Sequence, residues 1–239
     1  MMGTGARVIL VHGAFHGAWC WQKVIDYLRA RNIEAMAIDL PGCGSGERLN
    51  GGLEDCATKL REVIEGENRP AVVCGHSLGG ATITESVDRE SGVRHLVYLA
   101  ALVPDVGETA LDNAPELLVG EIGKASERIE NGSVIVDPEA AGRIFYHDCD
   151  METRKWAVSK MCPQNPSISM TPLTRAAWRY CDSTYIVCQD DRALAVGVQE
   201  RLALRCRHVV RIATSHSPML SQPEVLGDLL WELAVKVEE

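Results

Sequence analysis

Cys74-Gly75-His76-Ser77-Leu78-Gly79-Gly80 follows a short apolar run and opens a stretch with helical spacing. Gly75, Ser77 and Gly79 fit G-x-S-x-G, in which a serine sits on a sharp strand-to-helix turn and its Oγ projects above a sheet edge. The helix N-terminus behind it favours developing negative charge. A serine hydroxyl is a weak nucleophile alone. It needs a base to take its proton and an acid to orient the base. In this arrangement the partners follow in the order Ser, Asp or Glu, His, on loops after later strands. Gln189-Asp190-Asp191-Arg192 and Thr214-Ser215-His216-Ser217-Pro218 each follow an apolar strand pattern.

Of seven histidines, His216 alone directly follows the last strand, which makes it the expected base. His12 and His16 lie on the first loop and organise it. His76 is the variable position of the turn. His95 and His208 fall at strand starts, the wrong edge, and His147 is left as a substrate contact. Asp190 and Asp191 are adjacent, so one faces the histidine and the other is solvated or pairs with Arg192; spacing does not choose. Asp148 lacks a strand end to fix it. The oxyanion donors are expected to be backbone N–H groups, one from Leu78 and one from His12-Gly13-Ala14-Phe15, with Ala14 favoured. This chemistry requires no metal or cofactor.

The elements that must hold these residues are legible as alternating strands and helices. Arg7–Val11, Ala35–Ile38, Ala71–Cys74, His95–Leu99, Thr184–Cys188 and Val209–Ile212 read as six buried strands. Trp21, Val24, Ile25 and Leu28 mark a helix face, as do Leu53, Cys56, Leu60, Val63 and Ile64. A terminal helix carries Leu226, Leu229, Leu230, Leu233 and Val237, with a capping box expected from Ser221 and Glu224. Such alternation predicts an α/β fold with a mostly parallel sheet covered on both faces. Residues 104–180 break the rhythm and are punctuated by Pro104, Pro115, Pro138, Pro163, Pro166 and Pro172. They read as a helical cap inserted between the fourth and fifth strands, the core being 1–103 and 181–239.

Composition fits that picture. The 239 residues suit one domain with an insertion, and 46% hydrophobic with 24% charged residues excludes general disorder. The net charge of −9 and the lack of a basic run argue against nucleic acid or an anionic membrane as partner. Nine cysteines without a C-x-x-C pair argue against zinc or redox motifs. No basic-plus-apolar leader precedes Ala6 and no run is long enough to span a bilayer, so the expected compartment is the cytoplasm.

Val11-His12-Gly13-Ala14-Phe15-His16-Gly17-Ala18-Trp19, Asp39-Leu40-Pro41-Gly42, Gly75-His76-Ser77-Leu78-Gly79-Gly80, Asp191-Arg192-Ala193 and His216-Ser217-Pro218-Met219 together resemble the α/β-hydrolase superfamily. The chain is most similar to the branch of small bacterial carboxylesterases, plant methyl-salicylate-type esterases and plant hydroxynitrile lyases. The resemblance implies a core lacking the usual first two strands, and it favours Asp191 over Asp190. The lyases carry threonine where this chain has Gly13, and a lysine directly after the catalytic histidine where this chain has Ser217. Without that cation no obvious group stabilises departing cyanide.

The expected function is therefore a serine carboxylesterase working through an acyl-enzyme on a small-molecule, apolar or aromatic ester. A lyase or lactonase on the same triad, and a ligand receptor on a hydrolase scaffold, are the competing readings. Phe15, Leu78, Leu102 and Met219 fall near the expected site, and Phe145, Trp156, Met161 and Trp178 are placed to close over it from the cap. Each of these also reads as ordinary core. A homodimer through an exposed apolar cap helix stays open, because exposure is not legible in a sequence.

Overall fold

Val8 and Leu10 enter one hydrophobic cluster, and their neighbours Ile9 and Val11 enter a second. An extended chain splits its side chains in this way when both faces of its sheet are covered. The structure, a computed structural model, describes residues 6–67 and 69–236. This first strand is β1 (Arg7–Val11). It is followed by β2 (Ala35–Ile38), β3 (Ala71–His76) and β4 (Val93–Leu99). β5 (Ser126–Arg128) and β6 (Val134–Val136) pair antiparallel apart from the main sheet. β7 (Asp182–Cys188) and β8 (His208–Ile212) complete it.

The main sheet runs β2-β1-β3-β4-β7-β8 with every pairing parallel. The six strands read from sequence are all present, and the sheet is wholly rather than mostly parallel. Helices Gln22–Arg29 and Pro223–Lys236 bury Val24, Leu28, Leu226 and Leu230 against one face. Helices Leu53–Glu65, Gly79–Ser86 and Val196–Ala203 bury Leu60, Ile83 and Leu202 against the other.

Two local readings differ. Ser221 does not cap the terminal helix. It ends the short helix Pro218–Ser221, its N–H donating to Ser217 O, and the first turn of Pro223–Lys236 is accepted by Gln222 O instead. Val237 lies outside the described residues. The insertion is also not purely helical. Alongside Pro138–Phe145 and Met151–Lys160, whose N-termini are capped by Asp137 and Asp150, it contains the β5–β6 hairpin. The hairpin strands are three residues long, too short for a period to register. Its signal was the turn Asn131-Gly132, with Gly132 at φ +81° and Val134-Ile135-Val136 beyond it.

The order reverses at β1, which has β2 on one side and β3 on the other. Open parallel sheets bind ligands beyond the carboxyl ends of strands at such a switch point. The β1 and β3 ends are hydrogen-bonded neighbours, with Val11 opposite Gly75. The loop after β1 and the turn after β3 must therefore meet.

Candidate active site

Ser77 lies at the end of β3 with φ +53°, in the left-handed region that non-glycine residues rarely occupy. Its backbone is pinned there. Ser77 N–H donates to Leu99 O at 3.1 Å, and Ser77 O accepts from Gly80 and Leu102 N–H. The close packing of this turn explains its glycines. A Cβ on Gly75 would meet Gly79 O at 2.7 Å, and one on Gly79 would meet His12 O at 2.6 Å.

The expected acid and base are in direct contact. Asp191 Oδ2 is 2.6 Å from His216 Nδ1. Asp191 Oδ1 accepts from Ala193 and Leu194 N–H, and its Oδ2 also accepts from Gln199 Nε2 at 2.9 Å. Gln199 is fully buried and further ties Cys188 N–H and Cys188 O, at the end of β7, to this cluster. Asp190 is exposed, and the contact with His216 is made by Asp191. Asp148 takes another part: its carboxylate accepts from Ser215 N–H and Ser215 Oγ–H, fixing the residue before His216. His76 Nε2–H donates to His216 O at 2.8 Å, a contact that its place as the variable residue of the turn did not suggest. Burial drives the His76 pKa well below its usual range, so it stays neutral beside His216.

The loop after β1 is set by two neutral imidazoles. His12 Nδ1–H donates to Gly13 O while its Nε2 accepts from Leu40 N–H. His16 Nδ1–H donates to Ala14 O at 2.7 Å while its Nε2 accepts from Tyr146 O–H at 2.7 Å. Burial lowers both pKa values, that of His16 to about 3. With these contacts made, neither Ala14 N–H nor Leu78 N–H has a hydrogen-bond acceptor among the described residues.

Ser77 and His216 border one cavity of about 520 Å³. Ala14, Phe15, Leu78, Leu102 and Phe145 line it too. Four expected wall residues lie elsewhere. Trp156 is exposed and packs edge-on against Trp19, with ring centroids 5.2 Å apart. Met161 packs at the margin of the first core cluster and Met219 is fully buried within it. Trp178 donates its Nε1–H to Pro104 O, beneath Arg179 and Arg205. The walls that sequence reading missed come from the cap: Leu111, Leu117, Leu118, Ile122, Val134 and Met170. The run Leu117-Leu118-Val119 was the available signal, and exposure of Leu118 and Met170 at the rim is what a sequence hides. Among the described residues, no group of three or more His, Cys, Asp or Glu side chains is placed to hold a metal ion. None of their helices is long and apolar enough to cross a membrane.

The sequence and the fold are shared with known proteins. Residues 8–229 match the model of the alpha/beta hydrolase family. An alpha/beta hydrolase of Aspergillus novofumigatus is 28% identical, over 92% of each chain. Methylesterase 7 of Arabidopsis thaliana is 28% identical, over 96% of each. The crystal structure of a pyrethroid hydrolase from Sphingobium faniae superposes with a TM-score of 0.83 at 25% identity, covering 96% of this chain and 97% of that one.

Proposed function

The chain belongs to the alpha/beta hydrolase family, and from that membership we propose that it is a serine carboxylesterase acting on a lipophilic, small-to-medium ester. The observation that carries the reading is the buried 2.6 Å contact between Asp191 and His216 at a cavity that Ser77 also borders. Ser77 Oγ attacks the ester carbonyl as His216 Nε2 takes its proton. Asp191 fixes the tautomer with Nδ1–H towards itself and stabilises the imidazolium. The unpartnered N–H groups of Ala14 and Leu78 receive the oxyanion. His216 then protonates the leaving alcohol and activates the water that releases the acid.

The apolar walls support a lipophilic substrate, because apolar groups gain by leaving water for such a lining. The esterase names of relatives such as Methylesterase 7 point the same way. Cyanohydrin cleavage is the weaker reading. Ser217 is fully buried, and among the described cavity residues the one permanent cation is Arg128, exposed on the β5–β6 hairpin.

The test is turnover of a panel of p-nitrophenyl and aromatic methyl esters beside Ser77→Ala, with mass spectrometry after fluorophosphonate treatment. Multiple turnovers, lost in the variant, and a single adduct on Ser77 are expected. Undiminished turnover in Ser77→Ala, or binding with no turnover on any ester, overturns the reading.

A further inference from the structure

Phe15 follows Ala14 and has φ +65°, a left-handed conformation in a bulky residue. Left to itself, such a residue relaxes towards ordinary backbone angles and rotates the peptide next to it. Both of its backbone groups are held from the cap. Phe15 N–H donates to Gln164 Oε1 at 3.3 Å, and Phe15 O accepts from Cys162 N–H at 3.0 Å.

Gln164 is itself 4% exposed and over-determined. Its Oε1 also accepts from Cys43 Sγ–H at 2.9 Å, and its Nε2 donates to Gly42 O at 3.3 Å and Asn165 O at 3.2 Å. Its backbone N–H and C=O both bond to Val134 of the cap hairpin. One residue thus joins three pieces of chain: its amide side chain ties the loop after β1 to the turn after β2, and its backbone pairs with the hairpin over the cavity. On the far side of the same peptide, His16 holds Ala14 O.

We propose that Gln164 is a positioning residue for the oxyanion donor: by accepting the Phe15 N–H it locks the Ala14–Phe15 peptide and keeps Ala14 N–H at the cavity wall. This rests on the esterase reading above. Gln164 touches no reacting atom in it. It acts through Phe15, and it couples the seating of the cap to the readiness of the oxyanion site. An apolar isostere fills the same space but leaves the Phe15 N–H, the Cys43 thiol and Gly42 O without their partner.

The experiment compares Gln164→Met with the unaltered enzyme on one p-nitrophenyl ester, with Ser77→Ala alongside. Affinity for a trifluoromethyl ketone, whose adduct places an oxyanion in the same position, is measured together with affinity for the product acid. The expected result is a fall in kcat of about tenfold or more, little change in KM, an equal loss of ketone affinity and unchanged acid affinity. A gap-filling role lowers the melting temperature without this pattern. A folded Gln164→Met with parent-like kcat and ketone affinity, or a lower kcat with intact ketone affinity, overturns the proposal. Turnover surviving in Ser77→Ala overturns the esterase reading instead, whatever Gln164→Met does. Should Gln164→Met fail to fold, amide exchange in the unaltered protein decides. Phe15 N–H protected like β1 supports the brace, and exchange at the rate of an open loop overturns it.

Discussion

Asp191 Oδ2 and His216 Nδ1 stand 2.6 Å apart with both side chains closed off from solvent. The carboxylate is surrounded by donors on every other side: Ala193 and Leu194 N–H on Oδ1, Gln199 Nε2 on Oδ2. These donors fix the orientation of the carboxylate and keep Oδ2 aimed at the imidazole.

This arrangement predicts the outcome of Asp191→Asn. The two N–H donors on Oδ1 keep an oxygen on their side, so the new amide NH₂ turns towards His216. The imidazole must then accept at Nδ1 and carry its proton on Nε2, where it cannot take one from Ser77. The expected loss in kcat is on the order of 10⁴-fold, the size associated with a catalytic histidine in the wrong tautomer. Ester turnover at neutral pH checks it, with circular dichroism to show that the fold remains.

Gly13→Ala is expected to damage the site from the opposite wall. A Cβ at Gly13 would stand 2.8 Å from Ser77 Cβ and 3.0 Å from His76 Nδ1. Neither neighbour can yield easily, since Ser77 is pinned through its backbone and His76 is buried and bonded to His216 O. Esterase activity should fall by about tenfold or more, with a lower melting temperature. Threonine, the lyase residue at this position, is expected to be worse. Gly13→Thr with Ser217→Lys should therefore lose esterase activity without releasing cyanide from mandelonitrile.

The core of this site was legible because its residues are tied to strand ends. Ser77, Asp191 and His216 each follow an apolar run, so a correct strand reading places all three on one edge of the sheet. Asp191 could be told from Asp190 only through the resemblance, because adjacent acids on a loop have no period to separate them. Gln164, Gln199 and the bond from Tyr146 to His16 were not legible. Each joins segments far apart in sequence, and a buried glutamine looks like a surface one until its partners are known. The cap walls failed for a related reason. Trp156 and Trp178 are the conspicuous aromatics of the insertion, yet apart from Phe145 the apolar walls it gives the cavity are aliphatic residues and Met170.

Glu85 carries a prediction about how the insertion is anchored. It lies on the helix that follows Ser77 and is 3% exposed. Its carboxylate accepts from Thr174 N–H at 2.8 Å, from Arg175 N–H at 3.1 Å and from Thr174 Oγ–H. Glu85→Ala strips two backbone donors of their acceptor, a loss of roughly 2–3 kcal/mol in unfolding free energy. Glu85→Gln, which keeps one oxygen, should lose less. Urea denaturation measures both, and kcat at low temperature should change little because Glu85 does not border the cavity.

The last prediction concerns acid. His12, His16 and His76 are buried, and burial lowers the pKa of each, with His16 at about 3 against an ordinary 6.5. In the unfolded chain all three take up protons as the pH drops through about 6.5, while in the folded protein burial defers that uptake to lower pH. The unfolded state then binds more protons, so stability declines below about 6.5, by about 1.4 kcal/mol per pH unit for each fully responding histidine. For His16 the decline continues down to about 3. Carboxylates held low by arginine, such as Glu108 beside Arg205, start to lose their contribution only below their ordinary 4.5. The interval between those values isolates the histidines. Unfolding free energy measured there should fall with pH, and the slope should be shallower in His16→Gln, which keeps an amide near Ala14 O but has no proton to gain. An unchanged slope in that variant would show that His16 is not among the groups responsible.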